Sequence, residues 1–169
     1  ETCDFIKVIG SQRPGGGRLG GRCSWTVEEL RTAVDEAHAR ELKVAAHVSG
    51  GPEPSRIAVE AGVDSLEHGW GTDEHTWEEA ARKGIFLVPT LAVRYQMDQL
   101  AVQGRSPWSP QIVKLFGPFE ERLAEVKRAF DLGVPIAMGT DAGNPGTYHG
   151  ESALELELLT RAGLTPLQA

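Results

Sequence analysis

The chain has 169 residues, which is long enough for one domain with a sizeable core. Its 40% apolar and 24% charged residues are ordinary for a soluble globular protein, and 17 basic against 24 acidic residues give a formal net charge of −7. This balance argues against nucleic acid or an anionic membrane as a partner, because either would need a basic face. No apolar run approaches the ~18 residues of a membrane span, no signal peptide is visible, and the cytoplasm is the expected location.

Apolar patterning predicts a repeating strand–helix organisation. Five strands are predicted, over residues 3–9, 43–48, 64–68, 85–89 and 134–140. Five helices are predicted, over residues 26–40, 54–61, 73–83, 90–132 and 151–162, the fourth of them irregular because prolines interrupt it. Residues 10–22 form a glycine-rich loop, and the first strand is apolar enough to be buried on both faces.

The junctions between helices and strands share one pattern. A helix ends, a glycine turns the chain and an apolar strand begins, at Gly62, Gly84 and Gly133. Thr26 and Glu29 form a capping box that opens the first helix. This regular alternation favours a (β/α) barrel or a doubly wound sheet with right-handed crossovers. The predicted fold class is therefore α/β with a parallel sheet.

Four residues with metal chemistry each close a short apolar strand: Lys7, His47, His68 and Asp141. In a (β/α) barrel the carboxyl ends of the strands line the active site. Imidazole is the commonest nitrogen ligand for zinc, and a carboxylate can bind metal and accept a proton from metal-bound water. Burial pushes a lysine toward its neutral, nucleophilic amine. Together the four residues predict a metal-dependent hydrolase.

Each of these residues also has a simpler structural explanation. Lys7 could extend from a strand end into solvent, and either histidine could be a hydrogen-bonded core residue. Asp141, in the sequence Thr-Asp-Ala-Gly, could cap a helix or form a turn. The matched positions of His47 and His68 in successive strand–helix units favour the metal-site interpretation.

Three further residues are weaker candidates for substrate contacts. His149 lies in the loop after Asp141, where it could touch substrate or be an ordinary loop histidine. Tyr95 and Arg94 follow the strand at 85–89 and could orient a substrate that carries a carboxylate. We therefore predict that His149, Tyr95 and Arg94 bind substrate.

Several stretches of the sequence resemble the amidohydrolase superfamily, in particular its imidazolonepropionase-like and prolidase-like branch. The matching stretches are Asp4-Phe-Ile-Lys-Val, Val44-Ala-Ala-His, Gly62-Val-Asp-Ser-Leu-Glu-His-Gly, Leu87-Val-Pro-Thr-Leu, Met138-Gly-Thr-Asp-Ala-Gly and His149-Gly-Glu. Each motif is weak alone, but their order and spacing together are specific. The resemblance covers nearly the whole chain.

The resemblance implies a role for each strand-end residue. Lys7 corresponds to a lysine that CO₂ carboxylates, so that its carbamate bridges two divalent ions, for which zinc is expected. His47 and His68 correspond to ligands of the second ion, and Asp141 to a ligand of the first ion and the general base. A hydroxide bridging the ions would attack an amide, peptide or lactam carbonyl, and Asp141 would carry the proton to the leaving nitrogen. The implied substrate is a small molecule or a dipeptide-like compound.

The resemblance also implies that part of the barrel lies outside this sequence. Members form a (β/α)8 barrel of typically ~250 residues or more, and bind the first ion with a His-x-His pair that this sequence lacks. Residues 1–169 correspond to strands four to eight, the C-terminal part of a catalytic TIM (β/α)8 barrel with about five βα units, truncated at both ends. We expect such a fragment to be inactive alone and to form a homo-oligomer, because two sheet edges are left unpaired.

Three alternatives stay open at this point. One is a mononuclear, deaminase-like member of the same superfamily, in which Lys7 would matter little. Another is a non-catalytic α/β module whose strand-end polar residues only cap turns. The third, a phosphate-binding domain built on the glycines at 15–17, is the weakest, because the loop lacks the Gly-Lys-Ser/Thr ending of a P-loop.

Overall fold

The computed structural model describes residues 3–11, 23–107 and 117–169 of the chain. These ranges contain four strands: β1 (Phe5–Ile9), β2 (Lys43–Ser49), β3 (Ser65–Trp70) and β4 (Phe86–Val88). The same ranges contain six helices: α1 (Val27–His38), α2 (Pro52–Ala61), α3 (Glu74–Lys83), α4 (Leu91–Val102), α5 (Phe119–Asp131) and α6 (Ala153–Arg161). The predicted glycine-rich loop from residue 12 to 22, and residues 108–116 of the predicted irregular helix, lie outside the described residues.

The four strands form one parallel sheet in the order β1-β2-β3-β4. A helix connects each strand to the next, and α2 packs between α1 and α3. This is the arrangement that parallel strands require, because a parallel connection must cross over the sheet. The α/β fold class predicted from the strand–helix alternation is confirmed.

The predicted helix ends are present in the structure. The Thr26 side chain accepts from the Glu29 amide at 3.2 Å, and the Glu29 carboxylate accepts from the Thr26 amide at 2.8 Å, which completes the capping box. Gly62 and Gly84 cap α2 and α3 in the left-handed conformation, with φ of 92° and 68°. In the described part of the chain, no helix is long and apolar enough to cross a membrane.

The core lies between the sheet and its helices. On β2, Val44, Ala46 and Val48 are at most 1% exposed, while the residues between them are less buried. Successive side chains on a strand point to opposite faces, so this alternation shows that one face of the sheet meets the helix layer. Leu30 and Val34 of α1 belong to the same buried cluster. Each such aliphatic side chain contributes about 1.5–3 kcal/mol when fully buried.

The opposite face of the sheet is open. Phe5, Ile9 and Phe86 lie on it and are 55%, 50% and 45% exposed. A cavity of ≈ 620 Å³ on this face is lined by residues of β1, β2 and β3, including Lys7 and Glu67. The prediction that the first strand is buried on both faces is therefore wrong, because β1 ends the sheet among the described residues and Phe5, Lys7 and Ile9 on its open face are exposed.

The fifth predicted strand, 134–140, is reduced to a single bridge between Leu87 and Ile136. The Leu87 amide donates to the Pro135 carbonyl, and the Ala137 amide donates to the Leu87 carbonyl, both at 2.9 Å. The ladder cannot extend in either direction, since the next donors would be Pro135 and Pro89, which have no N–H. The described ranges thus hold four strands rather than five, and the predicted long helix is replaced there by α4 and α5.

A polar network ties the amino ends of β2 and β3 together at the far side of the sheet from the candidate site. The Asp64 carboxylate accepts from Lys43 Nζ at 2.7 Å and from the Val44 amide at 2.8 Å, and lies 2.8 Å from His38 Nε2. Partial burial alone would raise the Asp64 pKa, but these hydrogen bonds outweigh it and hold the pKa below its ordinary value. This face of a barrel serves stability.

We expect Asp64→Asn to lower the free energy of unfolding by about 1–3 kcal/mol, because an amide cannot accept all three hydrogen bonds. Since the folded-state pKa is lowered, the stabilisation is complete above the unfolded-state pKa near 3.9 and is lost as pH falls through the folded-state value. Urea unfolding at pH 7 should therefore separate the two proteins, and the difference should shrink below about pH 4. Asp35→Asn, on the exposed face of α1, is the control. A gap that does not change with pH would contradict this assignment.

Candidate metal centre

The two predicted histidines meet at the carboxyl ends of β2 and β3. His68 Nε2 lies 2.8 Å from His47 Nδ1, and the ring centroids are 4.4 Å apart. Strand alternation by itself would place His68 on the helix side of the sheet with Leu66, whereas His47 shares the open face with Ala45. The pairing of β2 with β3 shifts register after Val48, and this irregularity turns the His68 ring toward His47.

The backbone around the candidate site adopts uncommon conformations. His68, Thr90 and Asp141 have positive φ angles of 71°, 50° and 54°. Among the described residues that are not glycine, only one other has a positive φ, Glu41, where the chain leaves α1. Such conformations cost of order 1–3 kcal/mol each and tend to occur where function requires them. The strain therefore falls on two of the four residues that the sequence singles out, His68 and Asp141, and on Thr90 after β4.

A chain of hydrogen bonds orients the two imidazoles. Thr90 Oγ1 lies 2.6 Å from His68 Nδ1, and Ser49 Oγ lies 3.4 Å from His47 Nε2. Ser49 Oγ is in turn 3.3 Å from Ser11 Oγ, which follows β1. If His68 donates its Nδ1 proton to Thr90, its Nε2 carries the lone pair that ligation needs. This is the arrangement of a metal ligand held by an outer partner.

The charge state of His68 suits ligation. Its burial, followed by the nearby His47 and Lys7, lowers the pKa of His68 to about 3. The imidazole is therefore neutral at physiological pH, and neutral imidazole is the form that binds a metal ion. The same electrostatic coupling places Lys7 in the neighbourhood of the histidine pair.

Lys7 and Asp141 form the other side of the candidate site. Lys7 Nζ lies 3.7 Å from Glu67 Oε2, and the Ser65 hydroxyl donates to Glu67 Oε1 at 2.8 Å. Burial lowers the pKa of Lys7 even though Glu67 and Asp141 act in the opposite direction. Burial likewise raises the pKa of Asp141, against the effect of Lys7. Asn144 Nδ2 donates to the Asp141 carbonyl at 2.9 Å and fixes the turn that carries it.

Glu67 is a residue that the sequence reasoning missed. It directly precedes His68, and strand alternation puts it on the open face beside Ser65 and Lys7. The sequence shows that Glu67 and Ser65, two positions apart, share one face of their strand. The ion pair of Glu67 with Lys7, however, depends on the register between β1, β2 and β3. Register of this kind cannot be read from one strand alone.

The three predicted substrate contacts are placed differently. His149 is exposed, and its Nε2 lies 3.9 Å from where a Cβ would sit on Gly143, so it faces the loop that begins at Asp141. The Tyr95 ring instead packs against Phe119 of α5, with a centroid distance of 5.5 Å. Arg94 is 1% exposed. Its guanidinium donates 2.5 Å hydrogen bonds to Asp98 and to the Gly117 carbonyl. The structure thus brings His149 near the site and engages Arg94 and Tyr95 among the helices.

The donor set fits a divalent ion in part. Two imidazoles, a carboxylate and a lysine capable of modification are ligand types that suit zinc and related metals. Within residues 3–11, 23–107 and 117–169, however, no group of three or more His, Cys, Asp or Glu side chains is gathered closely enough to hold an ion. The two histidine nitrogens face each other, and a complete site needs Lys7 or Asp141 to join them, or further ligands.

Comparison with known proteins identifies the family. The model of the amidohydrolase family matches residues 4–169. The chain belongs to the amidohydrolase family. Membership of this family of hydrolases implies a divalent metal, in agreement with the histidine pair at the strand ends.

Individual relatives show which members of the amidohydrolase family this chain resembles. The chain is 38% identical to ochratoxinase of Aspergillus niger over an alignment of 143 residues. This alignment covers 84% of the chain and 28% of ochratoxinase. The crystal structure of that enzyme superimposes with a TM-score of 0.76 and 31% identity, over 98% of this chain and 36% of that one. A Xaa-Pro dipeptidase with bound methionine gives a TM-score of 0.79 and 29% identity, over 98% and 41%. A putative prolidase from Bifidobacterium longum superimposes with a TM-score of 0.80 and 26% identity, over 98% of this chain and 41% of that one.

The chain spans well under half the length of the relatives it matches. These neighbours are TIM-barrel amidohydrolases, and the match covers nearly all of this chain but only part of theirs. The prediction of a partial (β/α)8 barrel is therefore confirmed, as is the prolidase-like resemblance.

We expect the His68 ring to stay neutral from pH 8 down to about pH 5 in the metal-free protein, because the pKa of His68 is about 3 in the folded state. Its ring ¹⁵N and C–H resonances should not titrate in this range, and assignment follows from a His68→Gln variant. The urea-unfolded protein is the control, since histidine titrates near 6.5 there. A folded-state midpoint close to 6.5 for His68 would show that the ring is not buried and coupled as described.

Proposed function

We propose that this chain is part of a metal-dependent amidohydrolase that cleaves a C–N bond in an amide, peptide or lactam. The observation that carries the proposal is the pair of hydrogen-bonded imidazoles at adjacent strand ends, with Lys7 and Asp141 beside it. Family membership supports the reaction class, and the strained backbone at His68 and Asp141 supports a role for these positions beyond packing.

In this proposal, two divalent ions, with zinc expected, are held by the strand-end residues together with ligands from outside the chain. His47 and His68 hold one ion through neutral nitrogens, and Asp141 contributes to the other. When bound, the ions polarise the substrate carbonyl and make water available as a nucleophile at neutral pH. The chain's own contribution is to fix these ligands through Thr90 and Ser49.

Lys7 is proposed to be carboxylated. Its neutral amine nitrogen forms a bond to the carbon of CO₂, a proton is released, and the product is an anionic carbamate with two oxygen donors. The lowered pKa of Lys7 raises the fraction of neutral amine that can react. The Lys7 side chain is 40% exposed on the open face, so CO₂ can reach it. Carbamate formation would replace the Lys7–Glu67 ion pair with two like charges, which bound cations would offset.

Asp141 is proposed to be the general base that moves the proton to the leaving nitrogen. A base works best when its pKa approaches the working pH, and burial raises the pKa of Asp141 in that direction. Its position at the end of the segment beside β4, close enough to Lys7 for their charges to interact, suits a group that must face the scissile bond. His149, on the following loop, is proposed to contact a small-molecule or dipeptide-like substrate.

In the full-length protein, we expect Asp141→Asn to lower kcat by 10²- to 10⁴-fold with little change in KM, because proton transfer is lost while binding persists. Steady-state kinetics on a panel of Xaa-Pro dipeptides and N-acyl amides gives the measurement. Asp98→Asn, a carboxylate on α4 that faces Arg94, is the control. Full activity in Asp141→Asn would remove this residue from the mechanism.

Lys7→Ala separates the binuclear proposal from its main alternative. We expect two metal ions per chain in the wild-type protein, and in Lys7→Ala the loss of at least one ion and of activity, as measured by elemental analysis and kinetics. Lys43→Ala alters a lysine of the same cavity at the amino end of β2 and should change neither. Lys7 itself lies in the middle of β1 rather than at its end as predicted. One ion with full activity in Lys7→Ala would favour the mononuclear, deaminase-like member. Absence of metal from the wild-type protein would favour a non-catalytic module.

We also propose that the 169-residue chain, when isolated, is inactive and self-associates. Its inner sheet face exposes Phe5, Ile9 and Phe86, and β1 ends the sheet with an unpaired edge among the described residues. Sedimentation velocity should show a size that grows with concentration, and Phe5→Glu should weaken this association. Val102→Glu, at an 85% exposed position on α4, is the matched control. A stable monomer, or robust metal-dependent turnover by the isolated chain, would contradict the proposal.

A further inference from the structure

Helix α4 begins in a way that leaves its own N-cap residue unused for capping. Thr90 has φ 50° and ψ 45°, and its side chain makes no capping hydrogen bond. A threonine at this position commonly accepts from the second or third amide of the helix. Here the Thr90 hydroxyl lies 2.6 Å from His68 Nδ1 instead. The first amides of α4 therefore need another acceptor, because this end of the helix is buried.

Glu155 supplies that acceptor from a distant part of the chain. Its Oε1 accepts from the Leu91 amide at 2.8 Å, and its Oε2 accepts from the Ala92 amide at 2.6 Å. Glu155 lies in the first turn of α6 and is 0% exposed, and the two residues it caps are at most 1% exposed. A carboxylate at a helix N-terminus is favourable, since the amides and the helix dipole both attract it.

We propose that Glu155 is a positioning residue: by capping α4 in place of Thr90, it leaves the Thr90 hydroxyl to orient the His68 ring. Glu155 touches neither imidazole and acts only through the α4 backbone and Thr90. The geometric part of this inference is independent of the chemistry, while its consequence for metal affinity rests on the proposed function.

Two other arrangements at this position would each leave a buried polar group without a partner. If Thr90 capped α4 itself, its hydroxyl would turn toward the α4 amides, and His68 Nδ1 would lose its partner in a buried environment. If residue 155 were apolar, two buried amides would lack acceptors, which is costly. Burial also raises the pKa of Glu155 to about 7, against the effect of the two amides. The carboxylate is thus kept in an unfavourable environment at the place where it frees Thr90.

The first test compares Glu155→Gln with wild type in the metal-free, full-length protein. A glutamine has one acceptor oxygen and cannot serve both amides, so Thr90 is drawn toward the helix and His68 loses its fixed tautomer. We expect the ring ¹⁵N resonances of His68, observed in histidine-labelled protein, to move toward the average of the two tautomers. Glu157→Gln, at an exposed position on the same helix, should leave them unchanged. Thr90→Val should reproduce the shift, and Thr90→Ser should not.

A double-mutant cycle shows whether Glu155 acts through Thr90. If it does, Glu155→Gln adds no further shift to the His68 ring in a Thr90→Val background. If the helix cap is only structural, Glu155→Gln lowers the melting temperature but leaves the His68 resonances as in wild type, and the proposal is overturned. Should the glutamine variant not fold, Glu155→Asp, which retracts the carboxylate by one methylene, takes its place with the same readings. In wild type, a scalar coupling through the hydrogen bond from the Ala92 amide to the Glu155 carboxylate is required, and its absence would also overturn the proposal.

A metal titration then links the inference to the proposed function. Outer-shell partners of metal ligands are typically worth 10- to 100-fold in affinity, and we expect a loss of that size for Co²⁺ binding in Glu155→Gln, with Glu157→Gln unaffected. If wild type binds no Co²⁺, the proposed function fails, while the tautomer measurement on His68 still decides the role of Glu155. If wild type binds Co²⁺ and Glu155→Gln binds it equally well, the positioning role is refuted while the metal centre stands.

Discussion

The irregularity of β3 at His68 and Gly69 is the constraint on which the rest of the candidate site depends. Without it, alternation would send the His68 ring into the helix layer. Positive φ at both residues rotates the strand end and brings His68 to His47. The conformation is enforced by packing, since a Cβ on Gly69 would lie 2.7 Å from Trp77 Cη2 and 2.8 Å from Leu87 Cδ1. Only glycine fits there, and the core that surrounds it holds the bulge in place.

The electrostatic character of the site follows from where the sheet is covered and where it is open. His68 is buried beside His47 and stays neutral, because charging it would require desolvation close to His47 and Lys7. Lys7, Glu67 and Asp141 lie toward the open face, where partial exposure moderates the shift of the lysine and aspartate pKa values. The neutral His68 imidazole, paired with His47, thus stands next to a group of charges of both signs. That combination suits a site that must hold cations and still move protons.

The sequence predicted the parts of the fold that depend on local patterns. The capping box at Thr26, the glycine caps and the strand ends that carry His47 and His68 all follow from periodicity and turn chemistry, and the structure has them. The prediction of a fifth strand is wrong because its pairing would need N–H groups that Pro89 and Pro135 lack, and these two residues are far apart in the chain. The roles of Glu67, Thr90 and Glu155 were hidden for the same reason, since each arises from contacts between separate elements. Arg94 illustrates the reverse case: it lies beside a strand end, but its Nη1 and Nη2 donate to Asp98 and to the Gly117 carbonyl.

The supporting contacts distinguish a buried part of the candidate site from an exposed loop beside it. His68 lies against Thr90, Glu155 caps α4 in place of Thr90, and Asn144 fixes the turn at Asp141, so the candidate ligands are set by buried or backbone interactions. His149, by contrast, stands exposed on a loop, as do most residues that border the cavity beside it. In barrels of this kind, loops change while strand ends keep the chemistry. The crystal structures of a Xaa-Pro dipeptidase and of ochratoxinase superimpose on this chain with TM-scores of 0.79 and 0.76, so enzymes with different names share this scaffold.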